Sequence, residues 1–348
     1  MMKNLRYLSV AQRRFVFFVI FGGALLAFIG ITALLINSAL NTGERVQGIA
    51  LDPAVIVREF AALPGEDAYP PAVAVAPDGT VYTGSYVTGA VWQIAPDGRS
   101  VTEIPGTRDA IGAFTGIALA PDGALIVIDQ EDTDPRSSGG RIWRIANQQV
   151  TPFDLVTDST GWISPNDAAF DTAGRLYITD SGRNEVWRYE ASTLNGAIWW
   201  VPPAPAPDAP NQRRAITGIA YDATTDSVLI TDPEQNRIYR VPADDPTAGA
   251  ILYDHAGRET PPGFDGITVA PDGTVYAAAL GQNGVARVED GELRYIAGLF
   301  RGVSDLAYAP GDRLIVPNFD QTSIVLPLIA PQLPFALDEI ALSTLEGT

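Results

Sequence analysis

The stretch SPNDAAFDTAGRLYITDSGRNEVWRY, Ser164 to Tyr189, reads as three short β-strands joined by two tight turns. Apolar and β-branched residues cluster in the strands, and Asp, Gly, Ser, Thr and Asn gather in the turns, where their backbone freedom and short polar side chains are needed. One feature departs from a plain strand. Asn166 and Asp167 stand where a core strand would begin on an apolar side chain, so this end of the strand faces something polar.

The same unit recurs five more times, as AVAVAPDGTVYTGS, GIALAPDGALIVID, GIAYDATTDSVLITD, GITVAPDGTVYAAA and DLAYAPGDRLIVPN. Equivalent second-strand residues are Tyr82, Ile126, Tyr177, Leu229, Tyr276 and Ile315, at gaps of 44, 51, 52, 47 and 39 residues. Third strands follow in GAVWQI, RIWRI, EVWRY, RIYRV and GVARV, and fourth strands in VTEI, VTPFDLV, AIWWV, AILYD and LRYIAG. A four-stranded sheet with two apolar faces must stack on neighbours, and six such units stack as blades around an axis. The sequence therefore predicts an all-β, six-bladed β-propeller over residues 53–330, with a C-terminal tail at 331–348. The sixth unit has weak candidates for its outer strand, and VIVREFAAL, Val55–Leu63, matches that type. This segment is expected to close the ring beside a strand at Ser323–Leu328.

Ahead of the propeller, Phe15–Ile36 is 22 residues without a charge. As a helix it reaches about 33 Å, enough for the hydrocarbon core of a bilayer. A cleaved signal peptide is the competing reading, but its apolar region is usually shorter. The expected order is a basic cytoplasmic tail at 1–14, a single N-terminal transmembrane helix at 15–36 and a linker at 37–52. Lys3, Arg6, Arg13 and Arg14 before the span place the propeller on the extracytoplasmic side of the cell membrane. If the closing strand is where the chain enters the ring, the anchor joins the short-turn face and the long loops point away from the bilayer.

Composition removes most nucleophilic chemistries. The 348 residues contain no cysteine, one histidine (His255) and one lysine (Lys3). Thiol catalysis, disulfides, Cys/His zinc sites and a Schiff-base lysine in the folded part are excluded, leaving carboxylates, amides and hydroxyls, which suit hard cations. Net charge is -18, and the four basic residues of the first fourteen leave -22 for the rest. Such a body repels nucleic acid, and cations or basic partners fit it better.

In a propeller the connections leaving the second and fourth strands share one face. Here they are the long ones, 130–140, 157–164, 202–214 and 255–264, so a small molecule or protein is expected to bind there. The inner strands begin at that face, and their equivalent first residues are Pro71, Thr115, Asn166, Thr217, Asp265 and Ser304. Five of the six are polar and one is charged. Capping of strand ends and contact with channel water is the simpler role for each of them. Asp129, Asp180 and Asp232 end equivalent second strands, which points to turn capping. The acidic loop with Asp129, Glu131, Asp132 and Asp134 lacks the spacing and glycine of an EF-hand and reads as a solvated hairpin. Trp199 and Trp200 are expected in the core, with Trp162 in a loop on the long-loop face. His255, also on that face, is a candidate acid or base.

These features resemble the SMP-30/gluconolactonase/LRE family over roughly residues 55–330, and RLYITDSGRNEVWRY and VLITDPEQNRIYRV are similar to NHL-repeat blades. The resemblance implies a divalent cation, often calcium, at the channel mouth, held by Glu in the first blade, Asn in the third and fourth, and Asp in the fifth. Asn166 and Asp265 match the third- and fifth-blade positions. Pro71 stands at the Glu position and Thr217 at the fourth-blade Asn position, with Glu66 and Asp67 as neighbouring substitutes for the missing acid. By the same resemblance Asp265 would be metal ligand and possible catalytic base together; Thr115, Thr217 and Ser304, by their ring position, and His255, by its loop, are expected to complete the ligand-binding mouth. Two functions follow: a ligand- or partner-binding module with a degenerate metal ring, or a divalent-metal-dependent hydrolase of lactones or esters. Strictosidine-synthase-like chemistry is a more distant third.

Overall fold

A computed structural model describes residues 9–342 apart from 41–44, 135, 156, 157, 159, 192, 194, 206, 208–210, 290, 327 and 328. The remaining residues, which include most of the basic tail and the end of the C-terminal one, lie outside the described set.

Each repeat forms one antiparallel sheet, and six sheets are arranged as expected. Blade three is the opening stretch itself: Pro165–Phe170, Leu176–Asp180, Glu185–Tyr189 and then Gly196–Trp200. Its turns hold because glycine takes the left-handed conformation that other residues resist, as Gly174 does at φ 79° and Gly123 and Gly273 do in the equivalent turns at 83° and 89°. The second strands are buried along their whole length in blades two to five. That is why they read as continuous apolar runs.

The core lies in the seams between blades. Blades one and two bury Val91, Phe114, Val127 and Trp143 together, and blades five and six bury Tyr276, Val285, Leu306 and Ile340. No blade has a core of its own, so stability depends on stacking and on closing the circle.

Closure uses the N-terminal segment, against a different partner from the expected one. Ile56–Ala62 is the outer strand of blade six and pairs antiparallel with Ala336–Ala341, Ile56 opposite Ala341 and Ala62 opposite Ala336. Ala336–Ala341 in turn pairs with Arg313–Pro317. Ser323–Leu328 is not that strand, for residues 323–325 belong to a short helix, Gln321–Val325. The propeller thus resumes at Pro334, and the expected tail at 331–348 contributes an integral strand. Its two acids, Asp338 and Glu339, are buried because arginines meet them: Arg45 pairs with Asp338, and Arg58 and Arg313 pair with Glu339.

The expected linker also takes part. Ile49–Ala50 adds a fifth strand to blade five, opposite Ala297–Gly298, and Asp52 pairs with Arg294. The chain therefore meets the propeller from Arg45 onward, ahead of the closing strand, and the start of that strand no longer indicates which face an anchor would join. The N-terminal helix, Val10–Leu40, forms a separate unit; its Val10–Leu34 stretch is long and apolar enough to cross a membrane.

Candidate channel-mouth site

The inner strands enter from the long-loop face, and their first residues stitch each blade to the next. Ser304 Oγ donates to the Pro71 carbonyl at 2.6 Å, Thr179 Oγ1 donates to the Thr217 carbonyl at 2.6 Å, and the Gly266 N–H donates to the Ser304 carbonyl at 2.7 Å. Ser304 and Pro71 are buried, so they serve the ring rather than the mouth. Thr115 is half-buried and makes only a long hydrogen bond, 3.4 Å, to the Ile128 carbonyl.

Asn166 and Asp265 remain the open groups. Both are half-buried. Among the described residues no hydrogen-bond partner engages the Asn166 carboxamide. Asp265 takes a hydrogen bond from the Thr217 side chain, whose hydroxyl lies 3.2 Å from that of Thr231. Burial, and then the charge of Asp167, push the Asp265 carboxyl up to about 7. Part of its surface still meets channel water, but protein encloses most of the carboxyl, so ionising it costs much as for an interior group.

Two further carboxylates flank this pair; the sequence reading noted Asp167 only as a polar strand start and missed Asp305. Asp167 and Asp305 sit one residue deeper, where three other blades carry Gly116, Gly218 and Gly266. Those glycines are required by close approach: a Cβ on each would fall under 3.0 Å from Asn166, Asp265 or Asp305 of the next blade. Where aspartate replaces glycine, its side chain fills the gap and binds the next blade's backbone. Asp167 accepts the Ile219 N–H at 3.1 Å and the Ala168 N–H at 2.8 Å, and Asp305 accepts the Val73 N–H at 2.8 Å. Burial raises both carboxyls well above the usual range, and for Asp305 the neighbouring Asp167 and Asp265 charges add to it. The signal that could have found them is the repeat alignment itself, in which an acid breaks a glycine column.

The other sequence candidates fall elsewhere. His255 bonds Tyr253 Oη through Nδ1 at 2.7 Å and the Glu259 carbonyl through Nε2 at 3.0 Å, so both ring nitrogens are engaged locally at the end of the outer strand of blade four. Glu66 is exposed, and Asp67 leans toward Arg108 at 3.8 Å. Asp129, Asp180 and Asp232 cap turns: Asp129 accepts from the N–H groups of Gly112, Ala113 and Glu131 and from Trp143 Nε1. Asp180 accepts from Ile163, Ser164 and Arg183, and Asp232 from Glu234 and Gln235. In the acidic loop Asp132 holds Ser137 and Asp134 holds Arg136. Trp199 and Trp200 are both buried in the seam to blade four, and Trp162 packs on Trp187.

Calcium takes six to eight oxygen ligands, usually with several carboxylates. Here Asp265 and Asn166 offer free oxygens, Pro71 offers none from a side chain, and Asp167 and Asp305 already spend theirs on backbone N–H groups. Among the described residues no group of three acids or histidines has a geometry that could hold a metal. The donor set does not fit a tight divalent site.

Six antiparallel blades, five of four strands and one of five, define the class as a six-bladed β-propeller. Its sequence agrees: the SMP-30/Gluconolactonase/LRE-like region matches residues 106–297, just over half the chain, and the chain belongs to that family. Solved structures share the fold at low identity. A gluconolactonase from Xanthomonas campestris superposes with TM-score 0.61 at 14% identity, covering 86% of this chain and 96% of that one. Virginiamycin B lyase from Staphylococcus aureus gives 0.55 at 12%, covering 82% and 99%. An auxiliary nutrient binding protein from Bacteroides ovatus gives 0.58 at 13%, covering 82% and 76%. No curated protein sequence matches the chain.

Proposed function

We propose that this chain is a membrane-anchored, extracytoplasmic binding propeller whose channel mouth takes a small molecule carrying hydrogen-bond donors or a positive charge. One observation carries this reading: Asp265 and Asn166 present unfilled acceptors at the mouth, while the two other carboxylates are tied into the ring. These acceptors, and the share of Asp265 that is ionised near pH 7, make the mouth attractive to a donor-rich or cationic group. A divalent cation alone is held weakly, because one free carboxylate does not satisfy it. The apolar helix, uncharged from Phe15 to Ile36 and with Arg13 and Arg14 in its first turns, supports the anchoring.

The second reading is a hydrolase of lactones or esters. It is favoured by the Asp265 carboxyl at about 7, near where a general base works best. Calorimetry of CaCl2 binding, combined with hydrolysis of glucono-δ-lactone and with Asp265→Asn as control, separates the two. The binding reading expects millimolar calcium affinity and no turnover. Micromolar affinity together with lactone turnover, both lost in Asp265→Asn, would replace it with the enzyme.

A further inference from the structure

The seam between blades two and three holds an open cavity. In blade three the outer strand ends on Trp199 and Trp200. Trp199 Nε1 donates to the Ala243 carbonyl at 3.2 Å, and the Trp200 ring lies 5.0 Å from that of Tyr239. Blade two has only the four-residue outer strand Gln149–Pro152, followed by Phe153. A cavity of about 570 Å³ remains, opening among the short turns at Asp122, Thr172 and Glu190. This is within the usual range for small-molecule pockets, about 300–1,000 Å³.

Ile126, Phe153, Leu155, Phe170, Leu176 and the ring of Tyr189 form its apolar wall, and polar side chains such as Thr172 and Thr193 line the rest. The charges at its mouth cancel in pairs: Arg144 meets Asp122 at 2.5 Å, and Glu190 meets Arg188 at 3.1 Å. No surplus cation awaits an anion there, and the acidic body repels one. A second observation points the same way. Tyr189, which lines the cavity, buries its hydroxyl without a hydrogen-bond partner among the described residues. Orphans of this kind call for a partner from outside the protein.

We propose that this cavity is a second ligand site, independent of the channel, for a neutral molecule with a largely apolar body and one hydrogen-bonding group. The test uses the full chain in lipid nanodiscs titrated with N-phenyl-1-naphthylamine, with empty discs subtracted. Saturable binding of one probe per chain is expected. Ala191→Trp, at an exposed rim position, covers the mouth without touching the core and should weaken binding at least tenfold. Ala173→Trp, exposed on another turn of the same rim, should do the same. Asp265→Asn should leave the titration unchanged. Non-saturable uptake, equal binding in both tryptophan variants, or loss in Asp265→Asn would overturn the proposal.

Discussion

Asp305 Oδ2 accepts the backbone N–H of Val73 at 2.8 Å, so a carboxylate of the last blade is bonded to the inner strand of the first. Across the ring Asp167 does the same from blade three to the Ile219 N–H of blade four. These two aspartates occupy the repeat position where glycine elsewhere lets inner strands touch, and they replace direct contact by a buried hydrogen bond. Both groups interact electrostatically with Asp265, Asp167 raising its carboxyl and Asp305 being raised by it, which joins ring closure to the character of the site.

Removing the Asp167 carboxylate leaves the Ile219 and Ala168 N–H groups without acceptors in the interior. Asp167→Ala is expected to cost about 1–3 kcal/mol per abandoned donor. Asp167→Asn keeps one carbonyl oxygen and should recover part of the loss. Urea unfolding of the two variants checks the order; equal stability of Asp167→Ala and the parent would show that the bonds to Ile219 and Ala168 contribute nothing.

Stability should fall as pH rises from 5 to 8. In the unfolded chain these carboxyls release their protons near pH 4, whereas in the folded ring burial keeps Asp265 protonated to about 7 and raises Asp167 and Asp305 as well. Across that window the native state binds more protons than the unfolded one, so each group removes up to about 1.4 kcal/mol per pH unit. Thermal melts at pH 5 and pH 8 should differ in this direction, and Asp265→Asn should flatten the slope. Carboxyls held low, such as Asp122 by the Ala124 N–H and then by Arg144, titrate below this window and leave it undisturbed.

Much of this ring was legible beforehand because stacking imposes a period: six turns, six buried second strands and the capping Asp129, Asp180 and Asp232 recur in register. Part of what escaped notice lay outside the period. Ala336–Ala341 carries Asp338 and Glu339, which look like a solvated tail until Arg45, Arg58 and Arg313 are brought against them from distant parts of the chain. Asp167 and Asp305 escaped because their role depends on the next blade's backbone, which no local pattern reveals. Asn166 and Asp265 could be found because they share one repeat position, although their freedom from other partners is visible only in three dimensions.

The Arg45–Asp338 pair gives that hidden strand a measurable weight. Both side chains are buried, and Asp338 also accepts from Asn318 Nδ2 at 3.0 Å. Arg45→Ala strands a buried carboxylate, a change that typically costs about 3–5 kcal/mol. Arg45→Ala with Asp338→Asn should restore part of the stability. Denaturant midpoints for the single and double variants measure the coupling, and additive losses would mean that Arg45 does not act through Asp338.

Gly266 tests whether close approach of inner strands sets the geometry of the mouth. A Cβ there would fall under 3.0 Å from Oδ1, the γ-carbon and the α-carbon of Asp305. The Gly266 N–H donates to the Ser304 carbonyl, which fixes the two strands and leaves no room to slide apart. Gly266→Ala should therefore destabilise the propeller by about 1–3 kcal/mol, the usual range for overpacking. Gly291→Ala, in a surface turn with nothing near its Cβ, carries only the strain of φ 74° and serves as the comparison. Because the clash reaches Asp305 and the backbone next to Asp265, Gly266→Ala should also weaken ligand binding at the mouth, whereas Gly291→Ala should not. Equal thermal midpoints for the two variants would show that the inner strands are free to adjust, and that the glycine column has some other cause.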